Sequence, residues 1–122
     1  MSPSIGDVVV VNFPSHNPRM HEQEGRRPAV VVGFPENLGS ARYRVVLVIP
    51  LTSDKNYSWA MSSPKLYPHF SAGTGGLPRD SIVLLDNLRA VDTSRVTRKV
   101  GTLPKDKILM IKESLKKILE LS

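Results

Sequence analysis

Apolar residues change their spacing once along this 122-residue chain, and that change limits the folds that the chain can adopt. Up to Leu103 they form short runs rich in Val and Ile, separated by Pro, Gly and polar residues, a pattern typical of β-strands. From Pro104 to Leu121 they follow helical spacing, with Pro104 suited to a first turn and lysines on the opposite face. The sequence therefore predicts a β-rich domain that ends in one amphipathic helix.

The apolar runs also predict the limits of the strands. We expect strands at Asp7–Phe13, Pro28–Gly33, Tyr43–Leu51 and Thr97–Leu103, a long bent strand at Asp80–Val91, and a short strand with a flexible loop between Asn56 and Pro78. Five or six short strands followed by a helix favour a strongly curved, SH3-like small barrel of the β-rich α+β class. Hydrophobic residues make up 40% of the chain, which is enough for a single domain, 1–122, with its own core.

Composition narrows the chemistry that this domain can perform. Because the chain has no cysteine, it has no disulfide, no thiolate metal site and no cysteine nucleophile. Lys and Arg number 17 against 11 Asp and Glu, and the net charge of +6 favours a polyanionic partner such as RNA, DNA or an acidic protein segment. The first residues do not resemble a signal peptide, and no apolar run reaches the roughly 18 residues that span a bilayer. We expect a cytoplasmic protein with no membrane partner.

Three familiar active-site motifs fail on spacing. His21-Glu22 begins like a zinc-protease motif, but Gly25 stands where the second histidine would be. The glycines at residues 73–76 resemble a phosphate cradle, yet Pro78 stands at the third glycine position and no helix follows. No GxSxG sequence is present. We therefore expect neither a bound metal nor a cofactor.

The segment from His21 to Pro28 is chemically dense. It contains an imidazole, two carboxylates, an amide and two guanidiniums immediately before a predicted strand. Cleavage of RNA through its own 2′-hydroxyl needs a base for that hydroxyl, an acid for the departing 5′-oxygen, and positive charge for the phosphorane. This segment contains candidates for all three roles.

Four ordered blocks carry a resemblance to a known family. They are Gly6-Asp7, His21–Ala29, Val48–Ser53, and Asp80-Ser81 leading to Leu85–Asp92. In content and spacing they resemble the MazF/PemK/Kid toxins of type II toxin–antitoxin systems, over nearly the whole chain. The resemblance implies a CcdB/PemK-like barrel, a homodimer, and inhibition by a cognate antitoxin with an acidic disordered tail. It also implies a sequence-specific, metal-independent endoribonuclease that cuts single-stranded RNA, including mRNA, to 2′,3′-cyclic phosphate and 5′-hydroxyl ends.

The resemblance assigns the central chemistry to Arg27 and Thr52. Arg27 matches the catalytic arginine that precedes proline in the family, whereas Arg26 occupies a variable position. A guanidinium offers two parallel donors to a phosphate and keeps its proton, so we expect it to stabilise the phosphorane rather than to act as a base. Thr52 matches the threonine of the family's Pro-x-Thr block, and its hydroxyl can donate to a nonbridging oxygen or relay a proton.

The proton carriers remain open among three residues. His21 matches a histidine of the Kid branch, and its ordinary pKa near neutrality suits proton transfer. Glu22 is a candidate base or a partner that holds Arg27. Asp86 matches a Kid carboxylate, but Leu84 replaces the arginine that Kid places two residues earlier. We therefore expect Asp86 to have a structural role or to position the substrate, rather than to act as the base.

Four further residues are predicted to bind the substrate: Gln23, Ser53, Asn87 and Trp59. Gln23 would read or position a nucleotide, and Trp59 would stack on a base, as aromatic side chains do in single-stranded RNA recognition. Packing in the core or against an antitoxin is the alternative for Trp59. The loops at Ser15–Met20 and Tyr57–Gly76 would set the recognition sequence, which the chain does not encode in a simple way.

Two other functions fit the same sequence features. One is a non-catalytic SH3-like module that binds nucleic acid or an acidic peptide. The other is a toxin directed at DNA gyrase, as in the CcdB type. Cleavage of RNA by the purified protein separates the enzyme from both.

Overall fold

The computed structural model describes residues 2–14 and 25–121. Within them the chain forms seven strands and two helices. The elements, in chain order, are β1 (Asp7–Phe13), β2 (Gly25–Gly33), β3 (Val45–Ser53), α1 (Ser58–Met61), β4 (His69–Phe70), β5 (Ser81–Val83), β6 (Arg89–Asp92), β7 (Val96–Thr102) and α2 (Lys105–Ile118). Short 3-10 turns occur at Pro35–Leu38, Thr74–Gly76, Leu85–Asn87 and Thr93–Arg95. The predicted β-rich α+β class and the terminal helix are confirmed.

All strand pairs are antiparallel, in the order β4-β5-β3-β2-β1-β7, with β6 also paired to β3. The central strands bury both of their faces. In β1, Val8 belongs to a cluster that includes Ile111 of α2, whereas Val9 and Val11 belong to a second cluster with Val91 of β6. A strand that is buried on both faces is apolar at successive positions rather than at alternate ones. This burial explains the near-continuous apolar runs in β1 and β3.

The segment predicted as one long strand at Asp80–Val91 is interrupted. Val83 of β5 pairs with Leu51, and Arg89 of β6 pairs with Val48. Between these two pairs the segment from β5 to β6 advances by six residues, whereas its partner β3 advances by only three. The surplus residues form the 3-10 turn Leu85–Asn87. An apolar run with polar residues at its middle does not reveal such a turn, because Leu84 and Leu85 are as buried as strand residues.

The glycines at residues 73–76 have a packing role. Gly75 and Gly76 adopt positive φ values of +57° and +81°. A Cβ on Gly76 would lie 2.5 Å from the backbone oxygen of Val100 in β7, so any side chain there would clash with the sheet. Close approach to β7 therefore explains glycine at this position.

No helix among residues 2–14 and 25–121 has the length and apolar character to cross a membrane.

Candidate functional site

A cleft of about 770 Å³ opens where β2 and β3 diverge. It is lined by Arg27, Thr52, Ser53, Lys55, Tyr57, Trp59, Tyr67, Arg79, Leu84, Asp86 and Asn87. Six of these are residues that the sequence predicts for the site: Arg27, Thr52, Ser53, Trp59, Asp86 and Asn87. The structure thus brings together every predicted site residue that lies within its described ranges.

The register of the sheet explains why Arg27 and Thr52 line the same cleft. Ala29 pairs with Pro50 across β2 and β3, and the ladder stops there. Two positions further along each strand are Arg27 and Thr52, which therefore share one face of the sheet. Both side chains line the cleft, with Arg27 exposed and Thr52 half-buried. The cleft therefore receives a guanidinium from β2 and a hydroxyl from β3.

Asp86 and Asn87 reach the cleft from the 3-10 turn between β5 and β6. The Tyr67 hydroxyl donates to Oδ2 of Asp86 at 2.6 Å, and the Asn87 side-chain amide donates to Oδ1 at 3.0 Å. The hydrogen bond to Asp86 raises the pKa of Tyr67 above its ordinary value, because the neutral phenol is the form that can donate. Asp86 is therefore held from both sides at the cleft.

Three aromatic rings form one wall of the cleft. The ring of Trp59 stacks on that of Tyr57 with centroids 5.1 Å apart, and meets the edge of Tyr67 at 4.9 Å and 82°. Trp59 still exposes 45% of its surface. Below it lie the buried side chains of Ile82 and Leu84, against which Tyr57 and Tyr67 pack. This wall is a supported aromatic surface that remains open to a ligand.

The charged groups that line the cleft are unequal in number. Among the described residues, Arg27, Lys55 and Arg79 supply three cations, and Asp86 supplies one carboxylate. A cleft with this excess of positive charge attracts anions such as phosphodiesters. Leu84, at the position where Kid has arginine, is 3% exposed and adds apolar surface rather than charge.

Five lining residues were not predicted as site residues: Lys55, Tyr57, Tyr67, Arg79 and Leu84. Tyr57 and Tyr67 lie in the segment between Asn56 and Pro78, where the sequence pattern is weak. Lys55 lies two residues after the end of β3, and Arg79 lies two residues before the start of β5. Only the pairing of these two strands brings them to one cleft. A search for basic residues just outside predicted strand ends would have found both.

Three predicted residues, His21, Glu22 and Gln23, lie outside the described residues. His69 lies within the described part but lines a separate cavity of about 280 Å³. There its Nδ1 is 2.7 Å from Oδ2 of Asp54. No cluster of three or more His, Cys, Asp or Glu side chains suited to a metal occurs in the portion of the chain that the structure describes.

Solved structures of known proteins share this fold. MazF from Deinococcus radiodurans is 27% identical, with a TM-score of 0.69, over 97% of this chain and 96% of that chain. A MazE-MazF complex from the same organism is 28% identical, with a TM-score of 0.68, over 98% and 97%. An endoribonuclease in complex with its cognate antitoxin, from a mycobacterial species, has a TM-score of 0.68 over 99% and 98% of the two chains. At 16% identity this last likeness shows the fold alone.

Sequence comparison identifies the family. No curated protein sequence matches the chain. The model of one family, described as PemK-like, MazF-like toxin of type II toxin-antitoxin system, matches residues 4–119. The predicted resemblance and the predicted PemK-like fold are therefore confirmed. The chain belongs to the PemK-like, MazF-like toxins of type II toxin–antitoxin systems.

Proposed function

We propose that this chain is a sequence-specific endoribonuclease that cuts single-stranded RNA without a metal ion and leaves 2′,3′-cyclic phosphate and 5′-hydroxyl ends. The observation that supports this most strongly is that Arg27 and Thr52 line one cationic cleft. Membership of the toxin family supports it as well, and one structural neighbour is named an endoribonuclease.

The reaction needs a stabilised phosphorane. The 2′-oxygen attacks phosphorus, a new P–O2′ bond forms, and the P–O5′ bond breaks after passing through a five-coordinate, doubly charged state. Arg27 stabilises this charge with its paired N–H donors, and the Thr52 hydroxyl donates to a nonbridging oxygen. Donors fixed on two neighbouring strands need little rearrangement as the charge develops.

Two protons must move during the reaction. One leaves the 2′-hydroxyl and one reaches the departing 5′-oxygen. We assign these transfers to His21 and Glu22, which precede β2 in the chain. Asp86 is assigned to positioning, because hydrogen bonds from Tyr67 and Asn87 hold both of its oxygens in place. Gln23, Ser53, Asn87 and Trp59 are assigned to substrate binding.

The proposal includes two protein partners. We assign the chain a homodimeric state and a cognate antitoxin whose acidic disordered tail covers the cationic cleft, and we place its action in the cytoplasm. The net charge of +6 supports an acidic partner, and the MazE-MazF complex among the structural neighbours supports a protein partner of the antitoxin kind. Sedimentation at micromolar concentration is expected to give twice the mass of one chain. A monomer alone would contradict the dimer.

Cleavage of a long, mixed-sequence RNA in EDTA tests the proposed activity. Because no metal takes part, the purified protein is expected to cut at a short recurring sequence and to leave 5′-hydroxyl ends, which polynucleotide kinase labels without prior phosphatase treatment. Intact RNA would contradict the proposal and favour a binding module or a gyrase-directed toxin. Cuts that appear only after a divalent ion is added would contradict the metal-independent route.

A further inference from the structure

The aromatic wall and Asp86 are joined through one side chain, Tyr67. Its ring meets the edge of Trp59 at 4.9 Å, and its hydroxyl donates to Asp86 at 2.6 Å. The ring also packs on the cluster that includes Ile82 and Leu84. One half-buried tyrosine therefore fixes both a stacking surface and a carboxylate in the same cleft.

A stacking surface beside a fixed acceptor has the chemistry of a nucleobase site. Single-stranded RNA is recognised by stacking bases on aromatic rings and by hydrogen bonds to the edges of the same bases. Trp59, with 45% of its surface exposed, supplies the ring. Asp86 supplies only acceptors, and the donors from Tyr67 and Asn87 each take one site on a different oxygen. No further donor to Asp86 occurs in residues 2–14 and 25–121, so its remaining acceptor sites can take N–H groups of a ligand.

We infer that Tyr57, Trp59, Tyr67 and Asp86 form a subsite for one nucleobase that carries an exocyclic amino group, with Tyr67 as the positioning residue. Cytosine and uracil have similar rings for stacking but differ at the 4-position. The amino group of cytosine donates to a carboxylate, whereas the carbonyl oxygen of uracil meets it as a second acceptor. The subsite therefore selects cytosine over uracil, and this selection rests on the proposed function because RNA is taken as the ligand of the cleft.

Fluorescence titration tests this selection apart from cleavage. Trp59 is the only tryptophan of the chain, so a base stacked on it changes the whole tryptophan signal. The probes are 2′-O-methyl hexacytidylate and hexauridylate, which bind but offer no 2′-hydroxyl for cleavage. A hydrogen bond to a charged group corresponds to about a tenfold difference in affinity, so hexacytidylate is expected to bind about ten times more tightly.

The Tyr67→Phe variant separates the effect of the hydroxyl, which positions Asp86, from the effect of the ring, which packs against Trp59. It keeps the ring against Trp59 and removes only the hydroxyl that holds Asp86, so both probes still bind while the preference for hexacytidylate falls below about threefold. Asp86→Asn is expected to abolish or reverse the preference, because its amide can donate to the uracil carbonyl. Tyr43→Phe is the matched control, since Tyr43 is 63% exposed and does not line the cleft. It is expected to retain the wild-type preference.

The outcomes separate this inference from the proposed function. Equal affinities for the two probes, no change in Trp59 fluorescence, or an unchanged preference in Tyr67→Phe would each overturn the subsite, even if RNA is cleaved in EDTA. Intact RNA in EDTA together with a preference that depends on Tyr67 would contradict the nuclease and leave the base subsite standing.

Discussion

Asp7, at the start of β1, is a carboxylate that the fold buries to 3% exposure. Burial opposes its charge, but the Ser4 amide and the Thr102 hydroxyl donate to it at 2.8 Å, and the Lys99 ammonium lies 3.4 Å away. These donors outweigh burial and hold the pKa of Asp7 below its ordinary range. Asp7 thereby ties the N-terminal segment to β7.

Asp7→Asn is expected to lower the free energy of unfolding by about 1–3 kcal/mol at neutral pH, because a buried charged acceptor is lost. A pKa that is lowered on folding stabilises the protein above the unfolded carboxyl pKa, near pH 4, and this contribution disappears as pH falls through the folded value. Urea unfolding measured between neutral pH and pH 3 checks both effects. The variant should lose less stability on acidification than the wild type. Glu113→Gln, at a side chain that is 64% exposed, is the control and should change little.

At the scale of elements, β3 organises the cleft. Its N-terminal half pairs with β6 and its C-terminal half with β5, and the turn between those two strands carries Asp86 and Asn87. Its last residues, Thr52 and Ser53, line the cleft directly. One strand therefore supplies two site residues and sets the position of two more.

Thr52→Val tests the hydroxyl at the end of β3. The substitution keeps the β-branched shape and removes the donor, so cleavage under single-turnover conditions is expected to slow by about a hundredfold or more. Ser53→Ala removes a hydroxyl from the next residue, which has no assigned contact with the phosphorane, and should slow cleavage less than about tenfold. Equal effects of the two changes would contradict the role given to Thr52.

The sequence predicted some elements closely and others poorly, for physical reasons. β1 begins and ends at Asp7 and Phe13 as expected, because its apolar run stops at a proline. β2 begins at Gly25 rather than at Pro28, since Arg26 and Arg27 pair with β1 although neither carries an apolar signal. β4 is the short strand expected between Asn56 and Pro78, but its two residues are too few for the pattern to give its limits, and the short helix α1 was not predicted.

At the scale of the whole molecule, the cleft gathers residues from position 27 to position 87. Sequence resemblance identified Arg27 and Thr52 because each lies in a recognisable block. Lys55, Tyr67 and Arg79 belong to no block, and only the order of strands brings them together. Site residues that come together only through the order of the strands could therefore not be predicted from the sequence.

The excess of positive charge in the cleft predicts how the affinity for RNA depends on salt concentration. For single-stranded nucleic acid, each phosphate neutralised by the protein contributes about −0.7 to the slope of log affinity against log salt concentration. Lys55→Ala and Arg79→Ala are each expected to make this slope shallower by about 0.7 if the side chain contacts one phosphate. Lys105→Ala, at an exposed residue at the start of α2, should leave the slope unchanged. Titration of an uncleavable 2′-O-methyl RNA at several salt concentrations provides the measurement.

Cleavage by two neighbouring arginine variants tests the central claim most directly. Arg26 and Arg27 are adjacent in β2, so their side chains leave opposite faces of the strand, and only Arg27 lines the cleft. In EDTA, Arg27→Ala is expected to slow cleavage of RNA by at least about a hundredfold, while Arg26→Ala keeps near wild-type activity and both variants unfold at the same urea concentration. Full activity in Arg27→Ala, or equal losses in the two variants, would contradict the assignment of Arg27 as the group that stabilises the phosphorane.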